Sequence, residues 1–459
     1  MHLASLAACV LSVLLPRAPV ASLPIPTEIR PLVHDVLPGD TLAGIAGRWR
    51  REAGHYDLNQ ALAAIRTANG LTGDLLRPGQ RLVVPRAAVA DHPRAAGPTR
   101  DGADLRGIYL TGPVCGDAAV FAEVDAFVRA GGNGVVFDIK DIDGAVSYRS
   151  AVPDAGYGPH RRSPVISDLP GLLHRLHDRD LYVVARLAVF LDGELGRRRP
   201  DLALHDDDGV PWVERGCTWM DPAHREVRAY NVGLAVEMAR AGVDEIQLDY
   251  VRFPTNGWRG DGADPALVAA RRQAVIGGFV AELAGALQPY GTRLSADLYG
   301  ISAWGRVQDL ALTGQHVSTI AQHVDFICPM IYPSHFEPGF EGHADPASDP
   351  EHFVGEGVRR FRDLAGGHAR IRPWLQAFPW RVRGYDGTYV ARQIAAAAAT
   401  GADGWCLWSP SSRYGVACEG LSPVPAPAAT GVITAARSAA TVSPLPLEAV
   451  LRVPWSPER

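Results

Sequence analysis

Glu245-Ile246-Gln247-Leu248-Asp249-Tyr250-Val251-Arg252-Phe253-Pro254 reads as one β-strand running straight into a loop. Ile246, Leu248 and Tyr250 alternate with Glu245, Gln247 and Asp249 at a period of two. Proline cannot donate to a β-ladder, so the strand is expected to end before Pro254. Asp249 then lies near the strand's carboxyl end, beside an aromatic ring and an arginine. Parallel α/β folds, eight-stranded barrels above all, place their chemistry at such ends. Taken alone, Asp249 is better read as a capping carboxylate or as a partner of Arg252. Its weight comes from similar strand ends elsewhere in the chain.

Strand-like runs occur at 107–110, 134–139, 181–187, 245–250, 293–297, 325–330, 371–376 and 404–408. Helix-like runs alternate with them at 118–130, 169–179, 225–240, 265–287, 307–323, 350–364 and 389–400. Strict alternation implies parallel strands with crossover helices. Eight strands predict a closed (β/α)8 barrel, an α/β TIM-like fold with enlarged loops, over residues 107–418. A doubly wound open sheet is the alternative. It calls for a glycine-rich phosphate loop after the first strand, and Thr111-Gly112-Pro113-Val114-Cys115-Gly116 does not fit one.

Upstream, residues 34–85 read as a small α+β unit in the order strand, helix, helix, strand. The segments Val36-Leu37-Pro38-Gly39-Asp40-Thr41-Leu42, Ala68-Asn69-Gly70-Leu71 and Leu76-Arg77-Pro78-Gly79-Gln80-Arg81-Leu82-Val83-Val84-Pro85 resemble a LysM domain. The resemblance implies binding of peptidoglycan or another N-acetylglucosamine-containing glycan in a shallow groove. Gly39, Asp40, Thr41 and Leu42 would line it from the first loop, and Leu76, Arg77 and Pro78 from the second. An interaction module without glycan affinity is the plainer alternative.

The chain has 459 residues, 47% hydrophobic and 21% charged, with a net charge of −5. No bulk basic character points to nucleic acid. Residues 3–15 are an apolar run too short to span a bilayer but suited to a signal-peptide core, so 1–21 are expected to direct export to the cell envelope or beyond. No later stretch reads as a transmembrane segment. Residues 86–106 read as a linker and 419–459 as a Pro/Ala-rich tail. No Cys-x-x-Cys occurs, and Cys328 and Cys406 read as buried thiols. A Cys406–Cys418 disulfide stays open. No cofactor is expected, and no metal, since His174 and His177 lack a third ligand.

The strand ends carry Asp138, Asp249 and Asp297, with Tyr299, Tyr332, His335, Trp374, Gln376 and Trp408. A closed barrel brings these to one face. Carboxylates among aromatic platforms suit a sugar site, because rings stack on pyranose faces and polar groups bind hydroxyls. Each also has an ordinary structural reading: an Asp138–Lys140 ion pair, a capping role for Asp297, a hydrogen-bonded loop position for His335, and packing for Trp374 and Trp408.

Together, Val135-Val136-Phe137-Asp138-Ile139-Lys140-Asp141, Ala185-Arg186, Trp219-Met220-Asp221-Pro222, the Glu245–Pro254 stretch, Ser295-Ala296-Asp297-Leu298-Tyr299-Gly300, Pro329-Met330-Ile331-Tyr332-Pro333-Ser334-His335 and Ile371-Arg372-Pro373-Trp374-Leu375-Gln376-Ala377-Phe378 resemble a bacterial family of inferred glycosyl hydrolases, a domain of unknown function. The resemblance implies a barrel similar to that of amylase-like glycosidases. By that analogy Asp249 is the nucleophile or its close neighbour. Asp297 stands where such enzymes carry a Glu acid, and the shorter side chain leaves the acid open between Asp297 and Asp138. Arg252, Tyr299, Tyr332, His335, Trp374, Gln376 and Trp408 would position sugar. The expected activity is hydrolysis of a polysaccharide by two carboxyl groups. A non-catalytic glycan-binding scaffold with a degenerate barrel is the rival. A metal-dependent deacetylase ranks last, for want of a His pair.

Overall fold

The structure, a computed structural model, describes residues 31–53, 58–85, 101–255, 257, 264–305 and 312–421. The expected signal stretch, the linker from residue 86 to residue 100 and the tail from residue 422 lie outside these.

In the small N-terminal unit, Leu32–Asp35 pairs antiparallel with Arg81–Val84. Helices Leu42–Ala53 and Leu58–Asn69 share a core with this sheet, built on Val36, Leu42, Ile45, Ile65 and Leu82. Thr41 caps the first helix, its hydroxyl accepting from Gly44 N at 3.0 Å. Asn69 does more than end the second. Its amide donates to Ile65 O and Val83 O and accepts from Val83 N, tying that helix to the last strand. The groove expectation needs correction at two positions. Leu42 is 1% exposed and belongs to the core. Asp40 is committed to the fold, accepting from Leu37 N and from His34 Nε2, both at 2.9 Å. The Trp49 indole donates to His34 Nδ1 at 3.1 Å, which leaves Nε2 as the His34 donor. Gly39, Thr41, Arg77 and Pro78 are exposed, and Leu76 is half-buried against the core.

The larger unit is a closed barrel of eight parallel strands: Arg106–Leu110, Gly134–Lys140, Tyr182–Ala188, Glu245–Asp249, Arg293–Tyr299, Phe326–Met330, a seventh split into Arg370–Ile371 and Trp374–Gln376, and Trp405–Trp408. Each pairs with the next, and the eighth returns to the first with Cys406 opposite Gly107. This closure removes the doubly wound alternative. The seventh strand breaks at Arg372-Pro373, where proline has no N–H for the ladder. Arg372 turns inward there and pairs with Glu245 at the floor of the barrel. Tyr182 and Ser295 also donate to Glu245, so the buried charge is fully partnered.

Helices Val120–Arg129, Leu169–His177, Arg225–Ala241, Pro265–Leu287, Pro350–Ala365 and Gly387–Ala399 cover the strands. Gly242, at φ +93°, closes the third in the left-handed conformation. Of the helix expected over 307–323, residues 312–313 and Val317–Ala321 are helical among the described residues. Gly314, at φ +71°, interrupts it, and Gln315 is drawn to the barrel instead. The five cysteines from Cys115 to Cys418 are free, and Cys406 and Cys418 are not bridged. Among the described residues, no helix is long and apolar enough to cross a membrane.

Candidate active site at the barrel mouth

Glu245, Gln247 and Asp249 point along the same face of the fourth strand, from floor to mouth. The strand ends at Asp249, because Tyr250 takes φ +50°. A left-handed tyrosine is an uncommon conformation. It is held by the Tyr250 N–H donating to Asp249 Oδ1 at 2.6 Å. Asp249 is 8% exposed.

The partner of Asp249 is not Arg252 but Arg186, on the third strand. Arg186 donates to Asp249 Oδ2 from Nη2 at 2.6 Å and from Nε at 3.1 Å. Its Nη1 donates to Asp138 Oδ1 at 2.5 Å and to Asp141 Oδ1 at 3.3 Å. One guanidinium thus holds both Asp138 and Asp249, whose carboxyl groups lie within about 7 Å of each other. Tyr109 donates its hydroxyl to the other oxygen of Asp138. Burial raises the Asp138 carboxyl to about 6, against the pull of Arg186. The Asp138–Lys140 pair does not form. A register shift between the two residues parts their side chains, and Lys140 is buried against Asp192 at 2.5 Å.

Asp297 is the neighbour of Asp249 on the next strand. Leu248 pairs with Ala296, so the two aspartates stand side by side at strand spacing, about 5 Å. Asp297 is 1% exposed and accepts the Trp374 indole N–H at 2.7 Å. Burial pushes its carboxyl well above the usual carboxylate range, and the charge of Asp249 pushes the same way. Arg186 and the Trp374 indole offset only part of this. The mouth therefore carries a carboxylate paired with a guanidinium beside a carboxyl that favours its proton. That asymmetry is what acid–base work on a glycosidic bond requires. Among the described residues, no three His, Cys, Asp or Glu side chains are grouped to hold a metal ion.

The family described as "Putative glycosyl hydrolase domain" matches residues 107–414, and the LysM domain family matches residues 34–85. The chain belongs to this glycosyl hydrolase family. No curated protein matches it. Among solved structures, the glycoside hydrolase domain of PgaB (BpsB) from Bordetella bronchiseptica is 17% identical with a TM-score of 0.52, covering 70% of this chain and 99% of its own. A hypothetical protein from Ruminiclostridium thermocellum is 31% identical over 41% of this chain and 96% of its own, with a TM-score of 0.35. The glycoside hydrolase domain of PelA from Pseudomonas aeruginosa is 13% identical, covering 68% of this chain and 96% of its own, with a TM-score of 0.41. The first of these shares the barrel fold.

On the glycosyl hydrolase barrel the remaining expected residues divide by what they touch. Tyr332 stacks on Trp408 with ring centroids 5.4 Å apart, and Phe378 packs edge-on against both. Exposed His335 sits 5.2 Å from the Tyr332 ring and 5.0 Å from that of Trp380. Arg252 is buried, its guanidinium 4.7 Å from the rings of Trp219 and Tyr299. Gln376 is committed to the fold: it accepts from Ser334 N and donates to Phe378 O and Trp380 O. It joins the loops after the sixth and seventh strands rather than presenting its amide to a ligand.

Sequence reasoning assigned no role to Arg186, Tyr109 or Trp380. Arg186 had a signal: a single charge inside the apolar run Tyr182–Ala188 needs a buried partner. Trp380 is 49% exposed next to His335 and extends the aromatic lining outward from Trp408 and Tyr332.

Proposed function

We propose that the barrel hydrolyses a glycosidic bond of a polysaccharide with Asp249 and Asp297 as its two carboxyl groups. Asp249, which accepts two hydrogen bonds from Arg186, acts as nucleophile or base. Asp297, buried and holding its proton, donates it to the leaving oxygen. The observation that carries this reading is the opposite environment of two adjacent side chains: one shares a guanidinium, the other has an indole N–H and little solvent. Asp138 shares Arg186 and serves chiefly to orient it. Tyr332, Trp408, His335 and Trp380 supply stacking surfaces for sugar rings. The LysM domain holds the enzyme on peptidoglycan or a related N-acetylglucosamine-containing glycan, with residues 1–21 directing export to the envelope.

The test is reducing-sugar release from a panel of cell-wall and exopolysaccharide glycans by wild type, Asp249→Asn and Asp297→Asn. Turnover by wild type, lost in both variants with unchanged melting, supports the reading. The burial of Asp297 favours a second reading, a barrel that binds glycan without cleaving it. That reading expects wild type to release nothing while still sedimenting with peptidoglycan.

A further inference from the structure

The pairing of the fourth and fifth strands stops just short of the two carboxyl groups of the mouth. Its last registered pair is Leu248 with Ala296, and beyond it Tyr250 takes φ +50° and leaves the sheet. The fifth strand runs on to Tyr299. Backbone groups at a buried strand end that has lost a neighbour need partners from elsewhere. Here the Gln315 side chain supplies them. Its Nε2 donates to Asp297 O at 3.2 Å, and its Oε1 accepts from Tyr299 N at 3.3 Å. One primary amide thus bonds the strand on both sides of Leu298, as the peptide group of a neighbouring strand would.

Gln315 is 1% exposed and is itself held from behind. Its backbone N–H donates to Thr313 Oγ1 at 3.1 Å. Thr313 O accepts at 2.9 Å from Phe253 N, in the loop that follows Asp249. Gly314 takes φ +71°, and a Cβ there would stand 2.8 Å from Arg272 O. Arg272, buried on the helix Pro265–Leu287, donates to Leu312 O at 2.5 Å. Residues 312–315 are therefore tied to the helix through Leu312, to the fourth-strand loop through Thr313 and to the fifth strand through Gln315.

We propose that Gln315 is a positioning residue for the two carboxyl groups, fixing the end of the fifth strand so that Asp297 stays beside Asp249 and out of water. The proposal rests on the glycosidase reading for the reaction it serves. Both causes that raise the Asp297 carboxyl, burial first and then the charge of Asp249, depend on where that strand end lies. The other groups facing Asp297 are Arg186 on the third strand, Cys328 on the sixth with Tyr332 after it, Arg372 and Trp374 on the seventh, and Cys406 on the eighth. None of these six bonds Gln315 among the described residues. Loosening the strand end therefore has one sign: water reaches Asp297, and its proton is held less tightly.

The test compares full-length wild type with Gln315→Met, which keeps the length of the side chain and removes the amide, and with Gly314→Ala, which crowds the same turn against Arg272. The infrared band of the protonated Asp297 carboxyl, assigned by its loss in Asp297→Asn, is titrated with pH. Glycan release is followed in parallel for kcat and KM. Gln315→Met is expected to lower the midpoint of the band by about one pH unit or more and kcat by about tenfold, with KM within about twofold. Gly314→Ala is expected to move both the same way by less. A midpoint unchanged in both variants, with melting alone lowered, would make Gln315 a purely structural tie and overturn the proposal. A wild type without an Asp297-dependent band would overturn it too. A midpoint that falls in Gln315→Met while wild type releases nothing from any glycan upholds the positioning role and removes the hydrolase reading. Turnover by wild type, with kcat and midpoint both indifferent to Gln315→Met, does the reverse.

Discussion

Arg186 donates to Asp249 at 2.6 Å and to Asp138 at 2.5 Å, so one guanidinium on the third strand organises carboxylates from the second and the fourth. Arg186→Ala leaves both carboxylates buried without their cation. Breaking such a pair from one side is expected to cost about 3–5 kcal/mol of stability, read by urea unfolding. A variant as stable as wild type would show that solvent, not Arg186, compensates these charges.

Asp249→Asn and Asp297→Asn remove one partner each of the proposed pair. Each is expected to lower kcat by about a hundredfold or more while leaving the melting temperature within a few degrees. Asp138→Asn, which leaves the Arg186–Asp249 contact in place, is expected to retain more activity than either. Activity that survives Asp297→Asn but not Asp138→Asn would transfer the acid role to Asp138.

The acid role of Asp297 gives its pH dependence a sign. The group must hold its proton to donate it, so kcat/KM is expected to fall as pH rises through its elevated pKa. The Trp374 indole stabilises the ionised form, so Trp374→Phe should move that alkaline limb to still higher pH. A limb that stays in place in the variant would argue that another group titrates.

Asp138 bears on stability in the same acid range. Its carboxyl titrates at about 6 in the fold against an ordinary value of 3.8. Between those values the unfolded chain releases a proton that the fold retains. The contribution of Asp138 is therefore fully present below about pH 4 and lost as pH rises through about 6, a change on the order of 3 kcal/mol. Asp138→Asn should flatten the decline in unfolding free energy between pH 4 and pH 6.

Trp380 tests the rim. Its exposed ring makes little contribution to the core, so Trp380→Ala is expected to raise KM for a long glycan several-fold without changing kcat or melting. An unchanged KM would place the sugar path elsewhere.

The apolar run of Gly134–Lys140, the period-two run of Glu245–Asp249 and the helix-like runs between such strands were legible because each depends on residues close in the chain. They determined a parallel α/β sheet and put Asp138, Asp249 and Asp297 at strand ends. The LysM unit was legible for the same reason, through turn residues at fixed spacing. The closing contact between Cys406 and Gly107, the pairing of Asp249 with Arg186 instead of Arg252, and the outward turn of Lys140 to Asp192 were decided only by tertiary structure. Each depends on register between strands far apart in sequence. Ion pairs form with whatever charge that register brings within hydrogen-bond distance, whether or not it is near in the chain. The sequence by itself thus put these carboxyl groups at strand ends; the tertiary structure decided which shares the Arg186 guanidinium and which is buried against the Trp374 indole.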